Sequence, residues 1–127
     1  MRAVSVIGIK LCELKGRTVV AKQKIGPGEL IERAPVIVFT PEEWILIDQT
    51  ILNDYCFRWG EKQGAVALGF GSLYNHSFNP NAKYRQNLRE LAIDFVALKE
   101  IKVGEEITVN YNGAADDLTP VWFEVIE

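Results

Sequence analysis

The segment 69–81, with the sequence GFGSLYNHSFNPN, constrains the fold of this chain more than any other part of it. It follows an apolar run and contains the only histidine of the chain together with three asparagines. Because so many polar side chains are costly to bury without hydrogen-bond partners, the segment predicts a ligand-binding cradle. An asparagine-rich surface turn is the alternative, and Asn-Pro-Asn taken alone favours it.

The overall composition indicates one ordinary globular domain. The chain has 127 residues, of which 48% are hydrophobic and 24% charged, which fits a single domain over residues 1–127. The longest apolar runs are too short to span a bilayer, and the first residues do not resemble a signal peptide. The formal net charge of −3 argues against a nucleic-acid-binding protein but is compatible with a basic protein partner.

The cysteines and the histidine are too few for a structural metal site. Cys12 and Cys56 lie far apart in sequence, and His76 is the only histidine, so a four-ligand zinc site cannot be completed. We therefore expect buried free thiols, no metal, and a reducing intracellular environment, which is the cytoplasm if the source is bacterial.

The residue pattern predicts a mainly β fold with one or two short helices. Strands are predicted at residues 4–10, 18–22, 30–39, 65–68, 83–86, 91–98 and 107–111. Gly16-Arg17 is predicted to form a turn, and Pro35 to interrupt the third strand. Because the tail, residues 113–127, ends in apolar and aromatic side chains, we expect it to pack back on the body of the domain.

A helix is predicted to begin at Thr40-Pro41 and to run to about Asn53. Thr40 is a typical N-cap, Pro41 suits the first helical position, and the next two residues are acidic. The spacing of its apolar residues places them on one face: Trp44, Ile47 and Ile51.

A short pattern occurs twice. Residues 25–31 and 101–107 both have the form IxxGExI, a Gly-Glu turn that leads into a strand. Coincidence is one explanation, because Gly-Glu turns are common. Two similar β units within one small domain are the other.

Three motifs, in this order and spacing, resemble those of the SET-domain protein lysine methyltransferases. Residues 15–21 resemble the amino-terminal GxGVFA motif, and the turn at 25–29 follows as it does in that family. Residues 75–81 match the NHSxxPN motif, and residues 104–111 match GEELTxxY. The resemblance covers about residues 5–123 and is closest to the smallest bacterial and viral members, without the zinc-binding segment that follows the domain in larger ones.

The resemblance implies a fold of small sheets with a C-terminal pseudoknot, in which S-adenosylmethionine (AdoMet) and a substrate lysine enter from opposite faces. It implies that Tyr111 is the catalytic residue. The implied cofactor-binding residues are Gly16, Arg17, Asn75, His76 and Trp122. The implied substrate channel consists of Tyr55, Tyr84, Val109 and Phe123. For Tyr84, an ordinary packing tyrosine on a strand is an equally good interpretation.

The implied reaction explains these residue types. Methyl transfer needs a neutral lysine amine, whereas free lysine has a pKa of about 10.4. An aromatic channel desolvates the ammonium, and the sulfonium of AdoMet repels it, so both lower its pKa. A phenol such as Tyr111 can orient the reacting groups without acting as a strong base. The expected partner is a lysine-containing basic protein, such as a histone-like or ribosomal protein, and a homodimer is possible.

One residue departs from the family pattern. Thr18 stands where the family usually has the second glycine of GxG, and we expect it to resist positive φ and to add bulk beside the cofactor. Thr18 therefore motivates an alternative function, a SET-like module that binds peptide or cofactor without turnover. A plain β structural domain is a third reading, which leaves the clustered polar residues unexplained.

Overall fold

The structure is a computed structural model that describes residues 6–127, so the first two residues of the predicted strand 4–10 lie outside the described part. Nine strands and two short helices follow one another within residues 6–127. Their bounds are β1 Ile7–Cys12, β2 Gly16–Ala21, β3 Leu30–Phe39, α1 Pro41–Ile47, a 3₁₀ helix Ile51–Tyr55, β4 Cys56–Trp59, β5 Gln63–Ala67, β6 Asn75–His76, β7 Ala82–Asn87, β8 Ala92–Ala97 and β9 Thr108–Val109. The predicted mainly β class is confirmed.

The strands form three sheets. β1 and β2 make an antiparallel hairpin, and β6 pairs with β9 in parallel. The largest sheet has the antiparallel order β4-β5-β3-β8-β7. Its central strands supply much of the core, in which Ile93 and Phe95 are fully buried. No helix in residues 6–127 is long and apolar enough to cross a membrane.

The largest sheet curls until its two edge strands meet. The side chain of Gln86 on β7 accepts a hydrogen bond from the Gly60 backbone N–H at 3.0 Å and donates one to the Arg58 carbonyl at 3.1 Å. These are the bonds that a neighbouring strand would make, so one amide side chain replaces a strand partner. Beside it the rings of Phe57 and Tyr84 meet edge to face at 5.2 Å. The curled sheet thus forms one wall of a cleft.

The repeated IxxGExI pattern marks two copies of one turn that pair with each other. Ile25 and Ile101 exchange both backbone hydrogen bonds, at 2.9 and 2.8 Å. In each copy the Glu backbone and side chain bond the residue three positions before it, and Gly28 and Gly104 have φ of 80° and 86°. Each copy also docks on the strand end that precedes the other, at Ala97 and Ala21 respectively. The repeat thus corresponds to two equivalent turns, although the strands that follow them differ, since β3 has ten residues and β9 has two.

The hairpin corrects one expectation and agrees with another. Gly16 and Arg17 are not a turn but the first residues of β2, because they pair with Cys12 and Leu11 of β1. The turn itself lies at residues 13–15, and Gly16 leaves it with φ of 78°. Thr18 avoids positive φ, as expected of a β-branched residue, and Leu91 is the one described non-glycine residue that adopts it. Thr18 is buried in β2, and its hydroxyl donates to the Lys10 carbonyl.

Two further expectations need correction. Pro35 does not interrupt β3, which runs through it; the strand changes partner there, from β8 to β5, and the Pro35 carbonyl accepts the Leu68 N–H at 2.8 Å. The helix ends at Ile47 rather than near residue 53. The Thr50 hydroxyl donates to the Ile47 carbonyl and accepts the Leu52 N–H, and so starts a separate 3₁₀ turn. The predicted N-terminus at Thr40 is confirmed by a capping box with Glu43.

A buried carboxylate ties three strands on the outer face of the sheet. Asp94 on β8 is 2% exposed and accepts hydrogen bonds from Arg33 at 2.8 and 3.2 Å and from Asn87 at 3.1 Å. Arg85 on β7 lies 3.9 Å away. The hydrogen bonds from Arg33 hold the pKa of Asp94 below its ordinary value, against the effect of burial.

Asp94 should therefore make the fold acid-sensitive. A carboxyl whose folded pKa is lowered stabilises the fold above its unfolded pKa, and that stability is lost as the pH falls through the folded pKa. Arg33→Met should cost about 1.5–3 kcal/mol at neutral pH, and Asp94→Asn should flatten the acid limb of the stability profile. Urea unfolding over a pH series measures both. The exposed pair Lys24–Glu100 is the control: Lys24→Met should change stability by less than about 0.5 kcal/mol, and equal effects would contradict the assignment.

Candidate active site

Two openings meet at Tyr111. The large cleft, of about 1040 Å³, is lined by all four tyrosines of the chain and by Trp44, Phe57 and Trp122, among others. The small hollow, of about 140 Å³, lies beside Lys15, Arg17 and Asn75. Three residues line both openings: Tyr55, Ser72 and Tyr111. A group bound in the hollow and one bound in the cleft would therefore meet at these residues.

Tyr111 is fixed by two hydrogen bonds. Its hydroxyl donates to the Tyr74 carbonyl at 2.6 Å, and its backbone N–H donates to His76 Nδ1 at 2.9 Å. Burial, and next the charges of Tyr55 and Tyr84, raise its pKa to about 12. The phenol therefore keeps its proton at neutral pH, and since that proton is already donated, its oxygen remains available as an acceptor.

Tyr84 extends this arrangement into the cleft. It lies on β7, half-buried, and its hydroxyl donates to the Tyr111 carbonyl at 3.2 Å. Burial raises its pKa as well. Its ring contacts Phe57 and Phe95 edge to face or tilted. Tyr84 thus both packs on the sheet and presents an oxygen to the cleft, so neither sequence reading of this residue is complete without the other.

His76 lines neither opening. Its imidazole is 3% exposed and packs against the rings of Phe78, Tyr111 and Phe123. Burial lowers its pKa, opposed by the charge of Glu127. Because Nδ1 accepts the Tyr111 N–H, the proton of the neutral ring lies on Nε2, which has no hydrogen-bond partner within the described residues. The ring therefore supports the backbone of Tyr111 and does not reach the openings as a base.

Glu106 organises the small hollow. Its carboxylate accepts Lys15 Nζ at 2.6 Å and Asn75 Nδ2 at 2.8 Å. Asn75 Nδ2 also donates to the Arg17 carbonyl at 3.0 Å. The hollow is consequently walled by two cationic side chains and one amide, and Glu106 holds two of these three groups from behind. Glu106 is therefore a structural hydrogen-bond acceptor.

The tail packs back on the body, as predicted. Asn110 and Asn112 donate from their side chains to the carbonyls of Asp117, at 2.6 Å, and of Thr119, at 2.7 Å. Trp122 then stacks on Tyr111, with ring centroids 5.8 Å apart. The tail thereby covers one side of the tyrosine cluster.

The end of the tail is fastened to the segment that follows His76. Glu127 accepts hydrogen bonds from the Ser77 hydroxyl at 2.5 Å and from the Phe78 N–H at 3.2 Å. The bond from Ser77 is the main reason that the pKa of Glu127 lies below its ordinary value.

The predicted site residues come together, with differences in detail. Tyr55, Tyr84, Val109 and Trp122 line the large cleft, and Arg17, Asn75, Tyr55 and Tyr111 line the small hollow. Trp122, predicted to bind cofactor, lies on the cleft side. Gly16, His76 and Phe123 line neither opening.

Sequence reasoning did not assign Lys15, Ser72 and Tyr74 to the site. Lys15 and Ser72 line the small hollow, and Tyr74, which lines the cleft, also accepts the Tyr111 proton. Adjacency to Gly16 and Asn75 was the available signal for Lys15 and Tyr74. Nothing local marked Ser72.

Comparison with known proteins places these motifs in a family. The SET domain family matches residues 16–112. A histone-lysine N-methyltransferase of Schizosaccharomyces pombe, described as H3 lysine-37 specific, is 38% identical over 121 residues, which cover 94% of this chain and 78% of that protein. A candidate histone methyltransferase of Plasmodium falciparum superposes with a TM-score of 0.69 at 27% identity, over 86% of this chain and 95% of its own. CpSET8 of Cryptosporidium superposes with a TM-score of 0.69 at 26% identity, over 92% of this chain and 60% of its own.

The fastening of the tail can be tested without activity. Glu127→Ala removes the acceptor of Ser77, and a net hydrogen bond contributes about 1 kcal/mol, so amide exchange in residues 113–126 should be about fivefold faster. Mass spectrometry of hydrogen exchange measures this. The matched control is Glu124→Ala, an exposed glutamate of the same tail. Equal exchange in wild type and both variants would show that Glu127 does not hold the tail.

Proposed function

The chain belongs to the SET-domain family, and we propose that it transfers methyl groups from AdoMet to a lysine of a histone or histone-like protein. It is a protein-lysine N-methyltransferase. The observation that carries the proposal is the convergence of the large cleft and the small hollow on Tyr111. A methyl donor and a lysine must approach one point from different sides, and the two openings that share Tyr111 provide such a point.

The small hollow suits the amino-acid end of AdoMet. That end carries both an ammonium and a carboxylate, and the hollow offers the cationic side chains of Lys15 and Arg17 for the carboxylate. The Asn75 amide is held by Glu106 and the Arg17 carbonyl, so the wall is ordered before a ligand arrives. When bound, AdoMet would supply an electrophilic methyl group and a positive charge that disfavours a nearby ammonium.

The large cleft suits a lysine side chain. Its aromatic walls, including Tyr55, Phe57 and Trp122, can hold the aliphatic stem and desolvate the ammonium, which lowers the pKa of the amine. The oxygens of Tyr84 and Tyr111 remain available to accept hydrogen bonds from the amine and to direct its lone pair. Because Tyr111 has a pKa of about 12, it orients the amine rather than deprotonating it. The cleft is open, so water can take the proton.

The substrate class rests on the relatives. The Schizosaccharomyces pombe protein, described as specific for H3 lysine-37, is aligned over most of both chains. A basic histone tail also agrees with the mildly acidic net charge of −3.

The alternative of a binding module without turnover loses its motivation. Thr18 was its basis, but Thr18 lies in extended backbone, bonds to β1 and lines neither opening.

The proposal predicts AdoMet binding and turnover that depend on different residues. AdoMet should raise the melting temperature, since a ligand at 100 times its Kd stabilises the fold by about 2.7 kcal/mol. Tyr111→Phe should keep this shift and lower kcat on histone H3 by about 100-fold or more, because its hydroxyl acts on geometry at the reacting atoms. Asn75→Ala should diminish the shift.

The control for Asn75 is Asn79→Ala, an exposed asparagine in the same segment that lines neither opening. It should leave the AdoMet shift and turnover unchanged. A folded wild type that shows no shift at saturating AdoMet would refute the enzyme assignment, and near-normal turnover of Tyr111→Phe would refute the role of that residue.

The product should be mainly monomethyl-lysine, with some dimethyl-lysine. The Tyr84 oxygen can accept a hydrogen bond from the amine, which leaves a methylated nitrogen less room to turn its lone pair toward the donor. Tyr84→Phe should therefore shift the product toward di- and trimethyl-lysine and retain activity. Mass spectrometry of one methylated peptide measures the ratio. An unchanged ratio with a lower melting temperature would mean that Tyr84 only packs.

A further inference from the structure

Glu32 presents a carboxylate from the central strand toward the core. β3 has an irregular register with β8, in which Leu30 pairs with Val96 and Glu32 pairs with Phe95. The extra residue is Ile31, which is buried. Such bulges re-aim side chains and are frequent beside active sites. Here the bulge places the Glu32 side chain on the same face of the sheet as its partner Phe95. The Tyr74 ring stacks on Phe95 with centroids 4.3 Å apart.

Both oxygens of the Glu32 carboxylate accept hydrogen bonds from one loop, residues 70–74. Oε1 accepts the Tyr74 hydroxyl at 2.7 Å, and Oε2 accepts the Phe70 backbone N–H at 2.9 Å. Gly69, with φ of 62°, makes room for it, because a Cβ at this position would collide with Glu32 Oε2. Burial, and next the charge of Glu32, raise the pKa of Tyr74, so its hydroxyl stays a donor at neutral pH. The residues from 70 to 74 are thus fixed at both ends by a single side chain.

The same loop supplies the acceptor for Tyr111. The Tyr74 carbonyl accepts a hydrogen bond from the Tyr111 hydroxyl at 2.6 Å. Between Phe70 and Tyr74 lies Ser72, which lines both openings. A shift of the loop would therefore move the Tyr111 hydroxyl, whose position decides the reacting geometry.

We propose that Glu32 is a positioning residue for methyl transfer, which acts through Tyr74 to hold the carbonyl that fixes the Tyr111 hydroxyl. The role in catalysis rests on the proposed function, whereas the coupling of Glu32 to Tyr111 does not. A purely structural role would lower stability without an effect on Tyr111.

The coupling can be measured by NMR of protein labelled with ¹³C at the tyrosine ring carbon that carries the hydroxyl. The chain has four tyrosines, so each signal can be assigned from a Tyr→Phe variant. Glu32→Gln leaves one acceptor for two donors, so we expect the signals of Tyr74 and Tyr111 to move. The matched control is Glu29→Gln, whose carboxylate accepts one backbone N–H in an exposed turn. It should move neither signal.

The catalytic role is measured by steady-state kinetics on the same variants. Glu32→Gln should lower kcat by about 10- to 100-fold and leave the peptide KM and the AdoMet-induced thermal shift within about twofold. Tyr74→Phe, which deletes only the hydroxyl, should lower kcat by a smaller factor. It replaces Glu32→Gln as the test if Glu32→Gln does not fold. Glu29→Gln should match the wild type.

Three results would overturn the proposal: a Tyr111 signal that stays in place while the Tyr74 signal moves, an unchanged kcat in a folded Glu32→Gln, or equal losses in Glu32→Gln and Glu29→Gln. An inactive wild type would defeat the proposed function instead, and the NMR signals would then still decide whether Glu32 positions Tyr111.

Discussion

The crossing of residues 75–81 with residues 106–113 is the constraint on which the site depends. Each of the strands that pair there, β6 and β9, is two residues long, so backbone hydrogen bonds alone contribute little to holding the two segments together. Side chains supply the rest. Asn81 donates to the Glu106 carbonyl at 2.8 Å and accepts the Thr108 N–H at 2.9 Å, and His76 accepts the Tyr111 N–H. Buried amides that satisfy both donor and acceptor fix a single register, which a two-residue ladder cannot do.

The paired turns explain why this crossing occurs where it does. The turn at 102–105 docks on Ala21 and sends the chain past β2 toward β9, while the turn at 26–29 docks on Ala97 and sends it into β3. Each half of the domain thus positions the first residues of the other. Val19, Ile25 and Ile101 are fully buried beneath these turns, so the pairing is also the centre of one shared core. The chain that leaves the turn at 102–105 runs through β9 to Tyr111, beside the small hollow.

The parts of the fold that could be predicted are those decided by neighbours in sequence. The N-cap at Thr40, the Gly-Glu turns and the bounds of β3 depend on residues within a few positions, and the structure agrees with them. The bonds made by Gln86 to β4 and by Asp94 to Arg33 join residues far apart in the chain, so no local pattern marks them.

The same division holds for the site. Tyr111, Asn75, Glu106 and Lys15 all belong to motifs, but the contact of Glu106 with Lys15 joins residues ninety-one positions apart, which no motif indicates. Sequence reasoning correctly expected Thr18 to avoid positive φ but placed it beside the cofactor, whereas Thr18 pairs with β1 and lines neither opening. Motif residues therefore identified the reaction, and the residues that hold them in place came from the structure.

The tyrosine cluster shows why this site works by position. All four tyrosines line the cleft, and burial raises the pKa of Tyr74, Tyr84 and Tyr111. Each of these three hydroxyls is already committed as a donor, to Glu32, to the Tyr111 carbonyl and to the Tyr74 carbonyl. A phenol with its proton engaged is a poor base, but its oxygen is a well-placed acceptor. An amine that arrives in such a cleft loses its proton because the surroundings disfavour the ammonium, and the phenols then determine the direction of its lone pair.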